Sequence, residues 1–371
     1  MPVTLNDELM CHQVVSSFDH VDSSDLQWCE RAWFSAFDTA GEMFIGAGVG
    51  KYTNRNVLDA YASLVVGEQQ HNVRASRELR PDVDVLKVGP IAYDIVENFK
   101  KVRFCLGEND YGISFEIEAE GIAPVLEQRP QMFRRSRGRV VNHMIRFFQY
   151  GRCRGWIKLD GRTYGITPDK WVSQRDRSWG IRRSSAEFYP PPEGVDVNFG
   201  LQPPKRAKIS YYWHAFQLQF NDWVIQYEGA ESPEGERLGT HHGDMWFRYG
   251  DSRRPVRVVD VSHEWELVPG TSTNEVKSVR DLITLEDGTT KEIKMTPLTR
   301  YSRKTGGYFG YRGWSSGAWM GEKWVAGETL NLTDEVVQQE LKGGVWDYAV
   351  ECRCGDEVGY GNIEPFIEGI G

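Results

Sequence analysis

The chain has 371 residues, 44 basic against 53 acidic side chains for a net charge of −9, 12% aromatic residues and 38 glycines. An acidic chain with scattered basic residues lacks the basic stripe that nucleic acid requires, so no nucleic-acid partner is expected. No apolar run approaches the ~18 residues of a membrane helix, and residues 1–8 show neither a basic nor an apolar leader region, so no membrane partner is expected either.

Cys11, Cys29, Cys105, Cys153, Cys352 and Cys354 have spacings that make no disulfide framework. Cys352-Arg353-Cys354 is C-x-C rather than the C-x-x-C of a zinc or redox site. A reduced, cytoplasmic protein is the expectation. Its length predicts two domains.

Residues 1–30 are polar, with a short helix expected near Ser24. Ala32 to Asp38 reads as a strand. Gly46-Ala47-Gly48-Val49-Gly50 is not a dinucleotide fingerprint, because Lys51 follows and no helix opens there. It predicts a strand that another group approaches closely. Strand-like runs follow at short intervals. In one, Ile113, Phe115, Ile117 and Ala119 alternate with Ser114, Glu116 and Glu118, the pattern of a half-buried antiparallel strand. The cluster Arg134-Arg135-Ser136-Arg137-Gly138-Arg139 reads as a solvated or anion-facing edge, compatible with a homodimer interface. Asp160-Gly161 predicts a hairpin turn.

Trp171-Val172-Ser173-Gln174-Arg175-Asp176-Arg177-Ser178-Trp179-Gly180-Ile181-Arg182 mixes arginines with a carboxylate and two tryptophans. That mixture suits the wall of a pocket, or a staple between two β-elements. Pro190-Pro191-Pro192 and Pro203-Pro204 predict a linker, since consecutive prolines break strands and helices. Strand patterns resume at Tyr211. Thr333 to Leu341 is the best helix, capped by Thr333 and ended by Gly343. The whole predicts an all-β chain with little helix: two antiparallel β-barrels or sandwiches, residues 1–195 and 196–371.

The eight histidines are scattered, and His241 and His242 are adjacent, so in a strand they face opposite ways. No metal motif, phosphate loop or nucleophile elbow occurs, and a protein without metal or cofactor is the simplest reading. What remains are polar residues among aromatics. These are His71 and Arg74 near a strand start, then Trp213-His214, then Gln226-Tyr227-Glu228. A His, a carboxylate and a Tyr lining one apolar pocket would serve general acid–base catalysis. Each of them singly reads better as a satisfied core or rim polar residue.

Gly151-Arg152-Cys153-Arg154-Gly155 through Arg175-Asp176-Arg177-Ser178-Trp179-Gly180-Ile181-Arg182 resembles the R-D-x-S-W-G-x-R signature of the carotenoid 1,2-hydratase-like, AttH-like family. The segments Trp33 to Asp38, Gln70 to Arg77 and Gly359 to Glu364 also resemble it. The resemblance implies two lipocalin-like units, no cofactor, and a cavity for a hydrophobic small molecule on which water is added or a polyene is cyclised. It places Asp176 as acid or base and Trp179 as a cavity wall, with Arg175 and Arg182 orienting the carboxylate. Flanking arginines lower a carboxyl's pKa, which favours a base or a structural clamp and leaves His71 and Glu228 open as the acid.

Arg74, Trp213, His214 and Tyr227 complete the expected substrate contacts. The abundant Tyr, Trp and Arg suit an oxygenated aromatic ligand better than a carotenoid. The expected activity is a cofactor-independent lyase or hydratase acting on an aromatic or terpenoid molecule, removing or adding water or formaldehyde. A non-catalytic binding protein and a pericyclase or isomerase are the alternatives.

Overall fold

The computed structural model describes residues 4–136, 139–182, 211–232, 234–271, 275–308 and 310–368. Its first strands are β1 (Trp28–Asp38), β2 (Met43–Tyr52), β3 (Val57–Val66), β4 (Gln69–Glu78), β5 (Lys87–Val88), β6 (Ile91–Glu97) and β7 (Lys101–Leu106). Then come β8 (Ile113–Gly121), β9 (Leu126–Glu127), β10 (Met132–Ser136), β11 (Arg139–Leu159), β12 (Arg162–Ile166) and β13 (Trp171–Arg182). The second half supplies β14 (Tyr211–Gln219), β15 (Trp223–Glu231), β16 (Arg237–Phe247), β17 (Val256–Leu267), β18 (Val276–Leu285) and β19 (Thr290–Ser302). It ends with β20 (Lys323–Asn331), α1 (Glu335–Leu341), β21 (Trp346–Cys354) and β22 (Glu357–Glu368). The chain is all-β.

β14 to β19, β21 and β22 close into an eight-stranded antiparallel barrel, in sequence order and so without free edges. The other fourteen strands form one curled sheet, whose main path is β20-β4-β3-β2-β1-β13-β11-β8-β7-β6-β5. β20 comes from the second half of the chain but adds to β4 of the first sheet, from Lys323↔Arg77 to Asn331↔Gln69. The two units are thus tied by a shared strand. The expected linker prolines and the 195/196 boundary lie outside the described residues, as do Arg137 and Gly138.

Period-two alternation sorts the side chains. Phe34, Leu64, Phe104, Ile117 and Ile157 fill the inside of the curled sheet. Leu218, Ile225, Ile283, Ile293 and Val350 belong to the apolar core of the barrel. Where the units meet, Tyr150 Oη donates to Ile225 O at 2.8 Å and Trp246 Nε1 to Pro124 O at 2.9 Å.

The glycines of β2 allow close approach. A Cβ on Gly46 would stand 2.5 Å from the Tyr301 ring, and one on Gly48 would stand 2.6 Å from Tyr61. Gly180 is more constrained. Its φ is +128°, and a Cβ there would lie 2.2 Å from His143 O on β11. Gly180→Ala should therefore lower stability by about 2 kcal/mol or more. Urea unfolding measures this, and an unchanged midpoint would count against the close packing of β11 on β13.

Two local readings differ from expectation. No helix forms near Ser24; Asn54 Nδ2 holds Ser23 O and Asp25 O at 2.5 and 2.9 Å, fixing the segment as an extended entry to β1. α1 is capped by Asp334, whose side chain accepts from Val336 N and Val337 N. Thr333 Oγ1 turns instead to Asn331 Oδ1 at 2.8 Å.

Candidate functional site

β13 runs through the middle of the first sheet, between β1 and β11. Its odd and even residues face opposite ways. Arg175 turns into the curled sheet, where its guanidinium donates to Gln149 Oε1 at 2.6 and 2.9 Å. Arg177 pairs with Glu30 and lies over the Trp179 ring at 5.8 Å. Asp176 and Arg182 face the barrel. There they line a cavity of about 420 Å³ together with Trp33, Arg146 and Phe148 of the sheet. From the barrel side come Trp213, Gln217, Gln226, Tyr227, Glu228, Asn362 and Glu364, and from the loop after β19 come Arg303 and Tyr308.

Charge is organised in two clamps. Glu228, buried on β15, accepts from Arg146 Nη1 and Nη2 at 3.2 and 3.3 Å and from Gln128 Nε2. Burial opposes the Arg146 charge, yet Glu228, Asp176 and Glu364 hold its pKa above the usual value. Arg303 donates to Asp347, at 2.9 Å through Nε, and also to Glu364. Burial pushes the Glu364 carboxyl up, against the pull of Arg303 and aided by Asp347 and Glu228. Asp176 stands apart. It is half-buried, lies close enough to Arg146 to raise its pKa, and makes no hydrogen bond to a described residue.

Tyr308 faces the same cavity with a hydroxyl that also has no partner among the described residues. Its ring is held by Arg31 at 4.6 Å and Arg303 at 5.1 Å, with Tyr61 edge-on at 6.3 Å. Buried polar atoms without a hydrogen bond recur around the cavity: Trp33 Nε1, Arg146 Nε, Gln217 Oε1 and Asn362 Oδ1. Such atoms are satisfied by water or by a ligand. The lining can therefore do acid–base chemistry through Asp176 and Tyr308, against aromatic walls. Among the described residues, no three His, Cys, Asp or Glu side chains are grouped to hold a metal.

The structure thus brings together Asp176, Arg182, Trp213, Tyr227 and Glu228. It places His71, Arg74, Trp179, Arg175 and His214 outside the cavity lining. His71 sits on β4 against Thr329 Oγ1 at 2.9 Å. Arg74 is bidentate to Glu328 at 2.6 and 2.8 Å, so it secures β20. His214 is buried within the barrel, with Nε2 2.7 Å from Asp281 Oδ2. Sequence reading missed Arg146, Arg303 and Tyr308, and it singled out Asn362 and Glu364 only as part of the Gly359 to Glu364 resemblance, with no role given. A signal for Tyr308 was the glycine- and aromatic-rich run at 306–317.

The histidine layer around His214 has a consequence for stability. Burial, then the neighbouring His214, lower the His263 pKa from 6.5 to about 4. The unfolded chain therefore binds the proton first, and stability is lost as pH falls from about 6.5 towards 4. The loss is on the order of 2 kcal/mol. His214, His241, Asp281 and Glu231 face the same space, so the contrast with His263→Gln isolates the effect. The parent should lose more in thermal midpoint over this range than the variant. Parallel curves would remove His263 from the acid response.

A closed antiparallel barrel packed on a curled sheet, with a polar and aromatic cavity where they meet, defines a two-unit lipocalin-like β-protein. The chain belongs to a family of unknown function, DUF8625, whose pattern matches residues 3–370. No curated protein matches it. Among solved structures it is similar to kievitone hydratase from Nectria haematococca, at 11% identity over 96% of this chain and 93% of that one, with a TM-score of 0.46. It is also similar to CghA, at 9% identity over 93% of this chain and 89% of that one, with a TM-score of 0.49. A structure of CghA with Sch210972 aligns at 9% identity over 92% and 88%, with a TM-score of 0.48.

Proposed function

We propose that this chain is an acid–base lyase or hydratase acting on an oxygenated, largely hydrophobic small molecule in the cavity between the sheet and the barrel. The observation that carries the reading is Asp176: a half-buried carboxylate in the cavity, beside Arg146, with no hydrogen bond to a described residue. A carboxylate kept free in this way is available to take a proton from substrate. Tyr308 is the proposed donor. In the forward direction Asp176 removes a carbon- or oxygen-bound proton, the leaving hydroxyl takes a proton from Tyr308, and water departs. Formaldehyde release from a primary alcohol is the second form. There Asp176 takes the hydroxyl proton, the carbon–carbon bond breaks, and Tyr308 protonates the carbon left behind. Neither form draws on a cofactor. Six unpaired thiols suit a reducing compartment, and a cytoplasmic location is part of the proposal.

Incubating the protein with a panel of oxygenated aromatic dimers, steroids and terpenoid alkenes, followed by mass spectrometry, tests this. Loss or gain of water, or loss of formaldehyde, is the expected result. Ligands retained without any mass change across the panel would favour a binding protein.

A further inference from the structure

Three carboxamides stand in a row on the barrel face that meets the sheet. Gln226 of β15 is opposite Gln217 of β14, and Gln217 is opposite Asn362 of β22. All three line the cavity. Gln226 and Asn362 are each only 3% exposed. None of the three side chains makes a hydrogen bond to a described residue, and Gln217 Oε1 and Asn362 Oδ1 are fully enclosed without a partner. Leaving one buried polar group unsatisfied is costly, and two such oxygens on facing residues of adjacent strands, with a third carboxamide in register beside them, is not what packing alone would keep. Neighbouring strands lie ~4.8 Å apart, so the row spans about 10 Å.

The chemistry of the row names its ligand. Each carboxamide both donates and accepts, which matches groups that do the same and are uncharged, namely hydroxyls. The buried guanidiniums of Arg146 and Arg303 already hold carboxylates, and the amide row itself offers an anion no charge, although Arg134 and Arg182 also line the cavity. Cations would find Asp176, but the amide row offers them no charge. Trp213 lines the same cavity and provides a flat apolar face for the carbon side of a ring. We infer that the ligand carries an uncharged, hydroxyl-rich ring, a glycosyl unit joined to a hydrophobic partner, read by Gln226, Gln217 and Asn362. The inference rests on the cavity being the reactive site proposed above, and it specifies the substrate class.

Calorimetric titration with phenyl β-glucoside, phenyl β-galactoside and phenol tests it. At least one glycoside should bind roughly tenfold tighter than phenol, the worth of one or two net hydrogen bonds. Asn362→Leu and Gln217→Ala should each erase most of that preference while leaving phenol binding in place. Gln217 is only partly buried, so its variant keeps the experiment interpretable if Asn362→Leu fails to fold. Equal affinity for glycosides and phenol, or a preference that survives the Gln217 change, overturns the inference. Glycoside binding without turnover in the parent would then remove the proposed activity alone, and turnover without glycoside preference would remove the inference alone.

Discussion

Asp176→Asn should lower turnover by about 10²- to 10⁴-fold while the protein stays folded. The substitution is close to isosteric, and the native carboxylate has no hydrogen bond to a described residue to lose. Its one evident electrostatic partner, Arg146, retains Glu228. The stability change should therefore stay within about 1 kcal/mol. Glu228→Gln gives the contrast. It weakens a buried clamp to Arg146, so its effect should appear in stability as well as turnover. Steady-state kinetics on any compound the parent converts, with thermal unfolding alongside, separates the two. Unchanged turnover in Asp176→Asn would sink the catalytic reading and return Asp176 to a structural role.

The largest stability effect is expected at Asp347. This residue is completely buried and is held by Arg303, itself only 7% exposed. Removing one partner of a buried ion pair leaves a charge uncompensated, at a cost of about 3–5 kcal/mol. Glu364 remains as a second partner, but its side chain is 25% exposed and faces the cavity. Asp347→Ala should therefore shift the urea midpoint strongly. Replacing Arg303 by Met in the same protein should recover part of the loss, since an apolar pair needs no charge compensation. A shift below 1 kcal/mol for Asp347→Ala would show that Glu364 alone suffices. Arg303 lies over the Trp33 ring at 5.2 Å and the Tyr308 ring at 5.1 Å. Loosening it should also disturb the cavity, so ligand affinity is expected to fall with stability.

Local rules were enough for much of the fold. Alternation in Ile113 to Ala119 and the Asp160-Gly161 turn between β11 and β12 depend on neighbours one or two residues away, so the chain itself displays them. The stretch from Trp171 to Arg182 was legible as a cavity wall because its composition is unusual, and Asp176 does line the cavity. Which of its arginines would join it was not legible. The strand's two faces look alike in sequence, and only pairing with β1 and β11 decides that Arg175 turns into the sheet while Arg182 turns to the barrel.

Contacts across long separations were hidden for the same reason. Arg146 meets Glu228, Arg303 meets Asp347, and β20 leaves its own half of the chain to pair with β4. No local propensity encodes such pairings; they follow from which surfaces the closed barrel and the curled sheet leave to bury against each other. Sequence alone determined an all-β protein with a carboxylate set among arginines and tryptophans. The tertiary structure decided that this carboxylate opens onto a shared cavity, that Tyr308 faces the same space, and that a row of carboxamides lines its barrel side, because a cavity between two units exists only once both have folded and docked.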